Sequence, residues 1–122
     1  PFYYRLVPQI SIHDYLIRIA YWSRCTDDVF IIALVYIDKL IKRKNAMINM
    51  NTVHKFILIA IMEATKFQDD IHYNNKTWAQ IGGIELGDLN KLEIHFLYAL
   101  DFDLNVDFSE YKMYSDRVSR FC

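Results

Sequence analysis

The chain has 122 residues, 53% of them hydrophobic and 16% aromatic, with a formal net charge of −1. That length suits one domain with one core, and the near-zero charge removes any strong electrostatic case for nucleic acid or acidic lipid. Two distant cysteines, Cys25 and Cys122, cannot make a disulfide scaffold and lack zinc spacing. They read as reduced thiols of an intracellular protein, cytoplasmic or nuclear. No secretory signal pattern is visible, and Pro1 at the start suggests a piece of a longer chain.

Glycines occur only at 82, 83 and 87 and prolines only at 1 and 8. The run from Ile10 to Ile81 therefore holds neither breaker, which favours long helices joined by short polar turns. Residues 1–9 form an extended lead-in. Ser11 is placed as the cap of a first helix, about Ile12 to Ser23, with Asp14 completing a capping-box-like pattern. Tyr15, Leu16, Ile19 and Ala20 form its inner face. Thr26 caps a second helix, Asp27 to about Lys44, where Asp27 and Asp28 suit the positive helix start. Lys39, Lys42, Arg43 and Lys44 at its far end read as a solvated terminus suited to the helix dipole, not as a nucleic-acid patch.

After a loop over Asn45–Asn51 comes the stretch Asn51–Asp70, capped by Asn51 or Thr52. Val53, Phe56, Ile57, Ala60, Ile61, Ala64 and Phe67 make one stripe of 3.6-residue period. Leu58, Ile59 and Met62 fill the other faces. A helix apolar all round belongs at the centre of a bundle, and this run is far shorter than the ~20 residues of a membrane span. Residues 71–75 form a polar loop. Asn75 caps a short fourth helix, Lys76–Ile81, with Trp78 and Ile81 inward and Gly82-Gly83 as its stop. A fifth helix starts near Gly87-Asp88; Leu89, Leu92, Phe96, Leu97 and Leu100 form its stripe, with Glu93 on the same side. Phe102, Leu104 and Val106 alternate with polar residues in an extended exit. Residues 107–121 form a last amphipathic helix with Phe108, Tyr111, Tyr114 and Val118 inward.

No catalytic constellation is found. His13, His54, His72 and His95 are scattered, and nucleophile-elbow, P-loop and dinucleotide fingerprints are lacking. Gly82-Gly83 is too short to cradle a phosphate, and the adjacent Asp69 and Asp70 diverge on a helix. No metal, cofactor or small-molecule substrate is therefore expected. Nine Tyr and eight Phe instead point to aromatic area at an interface. Two charged residues stand out: Lys66, ending the greasiest helix, and Glu93, inside an apolar stripe. Taken alone they read equally well as two solvent-facing side chains. If the third and fifth helices are neighbours, both reach one surface.

In order and spacing the motifs match a known family. They are PQISIHDYL over residues 8–16, ALVYIDKL over 33–40, VHKF over 53–56, ATKF over 64–67, Asp69-Asp70, YNN over 73–75, WAQIGGI over 78–84 and LNKLE over 89–93, then Phe96-Leu97 and Leu100-Asp101-Phe102. Over residues 8–106 the chain resembles a cyclin box, and more narrowly a P-type cyclin, like the phosphate-pathway cyclins of fungi. The resemblance implies an all-α fold of five helices around a buried third, a box over residues 10–106, and a short extra C-terminal helix in 107–122. It implies a regulatory subunit, not an enzyme, that binds and allosterically activates a cyclin-dependent kinase. Lys66 and Glu93 would face the kinase's mobile C-helix. Ile19, Phe67, Leu97, Phe102 and Leu104 would supply apolar contacts. One departure is Gln9, where many cyclins carry an arginine that pairs with buried aspartates; Asp14 and Asp38 remain as structural residues. Two other readings stand beside it: the same fold serves DNA-binding factors of the general factor IIB type, disfavoured here by charge and single copy, and a helical adaptor would bind peptides but no kinase.

Overall fold

A computed structural model describes residues 10–43, 52–68 and 72–119. Within them run six helices and no strand: α1 (Ile12–Ser23), α2 (Asp27–Arg43), α3 (Val53–Gln68), α4 (Asn75–Gly82), α5 (Leu86–Ala99) and α6 (Phe108–Ser119). The all-α architecture around a central third helix is the one expected. The expected lead-in over 1–9, Gln9, the loop over Asn45–Asn51, Asp69, Asp70 and Cys122 lie outside the described residues.

α3 packs against α1, α2, α4 and α5. From Leu58 through Thr65 every residue is buried, which explains why its sequence is apolar on all sides. Thr65 avoids an unpaired hydroxyl by donating to the carbonyl of Ile61 at 2.9 Å. Around α3 gather Ile19 of α1, Tyr36 and Leu40 of α2, Trp78 of α4, and Leu89, Phe96 and Leu100 of α5 and its end. Each large apolar side chain so buried contributes ~1.5–3 kcal/mol, whereas an exposed ion pair gives ~0–1 kcal/mol. Stability therefore resides in this cluster.

Ile19 requires a correction. It is 0% exposed and part of the core, so it has no surface to offer a partner. The 3.6-residue stripe that marks an inward face also placed it there.

The helix ends mostly follow their capping residues. Ser11 accepts from the Asp14 backbone N–H at 3.1 Å, as expected. The Asp14 carboxylate itself stays exposed, 3.5 Å from His13. α1 stops at Arg24 in the left-handed region. α4 begins one residue earlier than expected: Asn74, not Asn75, is its cap, accepting from Thr77 N–H at 2.9 Å. α4 ends at Gly83 (φ 70°), whose left-handed backbone suits glycine.

Two polar ties lock α1 onto α4. The Tyr15 hydroxyl donates to the Gly82 carbonyl at 2.7 Å, and Arg18 Nε donates to the Ile81 carbonyl at 2.8 Å. Burial pushes the Tyr15 phenol up to about 12, against the opposing Arg18 charge, so it remains a donor.

α6 lies on α2. None of its residues is fully buried, and Phe108, expected inward, is 77% exposed. Polar anchors hold it instead: the Tyr111 hydroxyl donates to Asp28 and the Tyr114 hydroxyl to Asp38. The Tyr114 bond, with help from Lys42 and against some burial, holds the Asp38 carboxyl below its ordinary value. Asp38 thus anchors the last helix, a role different from pairing with an arginine ahead of α1.

Candidate functional site

α3, α4 and α5 converge where α3 ends, α4 begins and α5 reaches its middle. Lys66 comes from the last turn of α3, Asn75 from the first position of α4 and Glu93 from α5. Lys66 Nζ lies 2.7 Å from Glu93 Oε2 and 2.5 Å from Asn75 Oδ1. Asn75 Nδ2 donates to Glu93 Oε1 at 2.8 Å and to Asn90 Oδ1 at 2.9 Å. Freed from capping by Asn74, the Asn75 amide bridges the other two. The two Lys66 and Glu93 side chains are 24% and 16% exposed. They are neither free solvent groups nor a sealed pair, but the outer edge of a network rooted in the core.

Beneath them sits Glu63, one turn before Lys66 on α3 and only 4% exposed. Its carboxyl lies close enough to that of Glu93 for each to shift the other's proton affinity, and its Oε2 has no hydrogen-bond partner. Burial first, then the Glu93 bond and charge, push the Glu63 carboxyl up to about 8, with Lys66 opposing. For Glu93, burial raises the carboxyl, but the bonds from Lys66, Glu63 and Asn75 together outweigh it and hold it below the usual range. Sequence reading missed Glu63, Asn75 and Asn90 as members of this cluster. The available signal was an acidic residue three positions before a lysine inside an otherwise apolar helix.

Apolar and aromatic groups flank the pair. Phe67, next to Lys66, is 48% exposed. Leu97, one turn after Glu93, is half-buried, and Ile94 and Tyr98 are exposed. Phe102 is 57% exposed, its ring edge-on to Tyr98 at 5.2 Å between centroids. Leu104 is partly buried and packs on the core. Lys66, Glu93, Phe67, Leu97 and Phe102 all keep some exposure, Leu104 less directly, and Ile19 none.

The backbone around Phe102 is not the extended exit expected. Asp101 and Phe102 both adopt left-handed conformations, at φ 55° and 56°, which cost about 1 kcal/mol or more per residue. The supposedly solvated end of α2 holds them there. Arg43 Nη1 donates to the Leu100 carbonyl at 2.6 Å and Lys39 Nζ to the Asn105 carbonyl at 2.8 Å. Both cations also reach Asp103 Oδ2, at 3.3 and 3.4 Å. The Tyr36 hydroxyl donates to the Leu104 carbonyl at 2.8 Å.

Among the described residues no three His, Cys, Asp or Glu side chains group as metal ligands, and no helix is long and apolar enough to cross a membrane. The arrangement offers recognition chemistry: a fixed cation and anion side by side, bordered by aromatic and aliphatic surface.

Comparison with known proteins points the same way. A family model described as Cyclin matches residues 1–104. Cyclin-U4-2 of Arabidopsis thaliana is 37% identical over 114 residues, covering 93% of this chain and 53% of the relative. Cyclin-U1-1 of the same plant is 39% identical over 108 residues, covering 88% and 51%. Cyclin-P4-1 of Oryza sativa subsp. japonica is 40% identical over 100 residues, covering 81% and 47%. The chain spans about half the length of these curated relatives.

Proposed function

This chain belongs to the cyclin family, and from that premise we propose that it is the regulatory subunit of a cyclin-dependent kinase, docking on the kinase through the Lys66–Glu93 edge. Cyclins regulate kinases and are not themselves enzymes. The observation that carries the reading is the pairing of Lys66 and Glu93 at 2.7 Å, on a rigid helix junction flanked by exposed Phe67 and Phe102.

An active kinase needs its C-helix glutamate paired with the ATP-binding lysine. A partner stabilises that arrangement only to the extent that it binds it in preference to the inactive one. Phe67, Leu97 and Phe102 supply buried area, and Leu104 supports the turn that carries Phe102. Lys66 and Glu93 fix the register of the bound helix. An exposed pair adds ~0–1 kcal/mol, but the same charges covered by a partner cost several kcal/mol when left unsatisfied. A correctly placed partner is therefore tolerated and a misplaced one rejected. No nucleic acid, membrane or small-molecule substrate is needed, and an intracellular compartment fits a kinase partner.

Affinity capture from a native lysate tests this. The wild-type chain should retain a cyclin-dependent kinase, and the double variant Lys66→Ala/Glu93→Ala should not. Equal retention by both, or capture of other proteins with no kinase, would reject the assignment.

A further inference from the structure

We propose that Glu63 is a positioning residue for the docking pair: its protonated carboxyl donates a hydrogen bond to Glu93 from beneath and holds it between Lys66 and Asn75, so that docking weakens when that proton leaves. This rests on the docking role assigned above to Lys66 and Glu93.

Glu63 is 4% exposed, inside the most buried stretch of the chain. No donor reaches its buried Oε2, an arrangement that a carboxylate, an acceptor only, tolerates poorly. A protonated carboxyl can itself donate. Its carboxyl meets that of Glu93, and two carboxyls in contact cannot both ionise without large repulsion, so one proton lies between them. Glu93 already receives Lys66 at 2.7 Å and Asn75 at 2.8 Å, donors that favour its charged form. The proton therefore resides on Glu63.

Among the described residues no other group is left to neutralise Glu63. On its own helix the facing charge is Lys66, which is committed to Glu93 and Asn75. From α5 the facing group is Glu93, and from α4 the uncharged Asn75. From α2 the nearest titratable group is Tyr36, whose hydroxyl is given to the Leu104 carbonyl; Lys39 and Arg43 are held by the turn after α5. From α1, Tyr15 and Arg18 are committed to the carbonyls of Gly82 and Ile81. The upward push on Glu63, to about 8, agrees with this geometry. Once ionised, Glu63 becomes a second anion one turn from Lys66 and competes with Glu93 for its ammonium. The docking edge then loses its fixed pair.

The test combines a titration that needs no partner with one that does. Carbon-13 spectra of the side-chain carboxyls follow Glu63 and Glu93 across the pH range in the wild-type chain. Binding to the kinase recovered by affinity capture is measured at about pH 7 and about pH 9 for wild type, Glu63→Gln, Glu63→Leu and Lys66→Ala. Glu63 should titrate near neutral to alkaline pH and Glu93 below the ordinary carboxylate range. Wild-type docking should weaken severalfold at the higher pH. Glu63→Gln, whose amide still donates but cannot ionise, should dock as wild type at the lower pH and keep that affinity at the higher. Glu63→Leu, which offers no donor, should dock weakly at both. Titration of Glu63 in the ordinary carboxylate range, or a Glu63→Gln profile that follows wild type, would overturn the proposal. Wild-type docking by Lys66→Ala would overturn the docking role itself, whatever the carboxyl spectra show.

Discussion

Arg43 Nη1 donates to the carbonyl oxygen of Leu100 at 2.6 Å, tying the end of α2 to the turn that closes α5. That turn places two successive non-glycine residues, Asp101 and Phe102, in the left-handed region. Without an external hold it would relax and carry the Phe102 ring with it. Arg43→Ala should therefore lower kinase affinity severalfold while costing only about 1–2 kcal/mol of stability. Binding titrations beside urea unfolding check this. A large stability loss with unchanged affinity would mean that the clamp serves the fold and not the presentation of Phe102.

Gly82 allows α4 to lie close to α3. A Cβ built there would sit 2.1 Å from Cδ2 of Leu58, a fully buried side chain with little room to turn aside. The same glycine's carbonyl accepts the Tyr15 hydroxyl. Gly82→Ala should destabilise the fold by roughly 1–3 kcal/mol through overpacking, read as a lower urea midpoint. Tyr15→Phe should cost about 1 kcal/mol.

Neighbouring asparagines at the start of α4 should behave differently. Asn74→Ala removes a helix cap and should cost about 1 kcal/mol of stability with docking largely kept. Asn75→Ala leaves the cap but takes one donor from Glu93 and one acceptor from Lys66. It should weaken kinase binding more than it weakens the fold. The reverse ranking, measured by the same two assays, would contradict the division of roles.

Stability should also depend on pH through Glu63. Its folded value is raised to about 8 above an ordinary 4.5, so the folded state holds this proton more tightly than the unfolded state. The associated stability is fully present below the unfolded value and is lost as pH rises through the folded one. Glu63→Gln removes that dependence, so its advantage over wild type should grow from mildly acidic pH and level off above about 8. By that plateau it should have grown by several kcal/mol, on the order of 1 kcal/mol for each pH unit between the two values. Glu93 carries the opposite sign: its lowered value means that its contribution is lost as pH falls through the acidic range. Unfolding curves of wild type and Glu63→Gln at several pH values separate the two effects.

The fold was legible because its signals are local. The all-round apolar character of α3, the caps at Ser11 and Gly83, and the stripe of α5 each follow from short-range periodicity or backbone preference. Pairing of Lys66 with Glu93 was legible only as a condition, since neither residue specifies which helices become neighbours. The misses concern side chains whose partners lie far along the chain. Ile19 fitted the inward stripe of α1, and only the family resemblance set it on a contact surface. Arg43 and Lys39 look like an ordinary cationic helix end until the turn after α5 arrives beneath them. Asn75 resembles a cap because capping depends on which of two adjacent asparagines leaves the helix. Phe108 satisfies an amphipathic pattern, yet α6 is held by Tyr111 and Tyr114 through carboxylates of α2. Glu63 went unread in the sequence, because its meaning required Glu93 above it.

The central claim is that Lys66 and Glu93 form one fixed edge on which a kinase is switched on. Its most direct test is phosphorylation of a peptide substrate by the captured kinase, reconstituted with wild type, Lys66→Ala or Glu93→Ala, each first verified as folded by circular dichroism. Both variants should keep their helical signal and lose most of the activation given by wild type. Full activation by both folded variants would contradict the account.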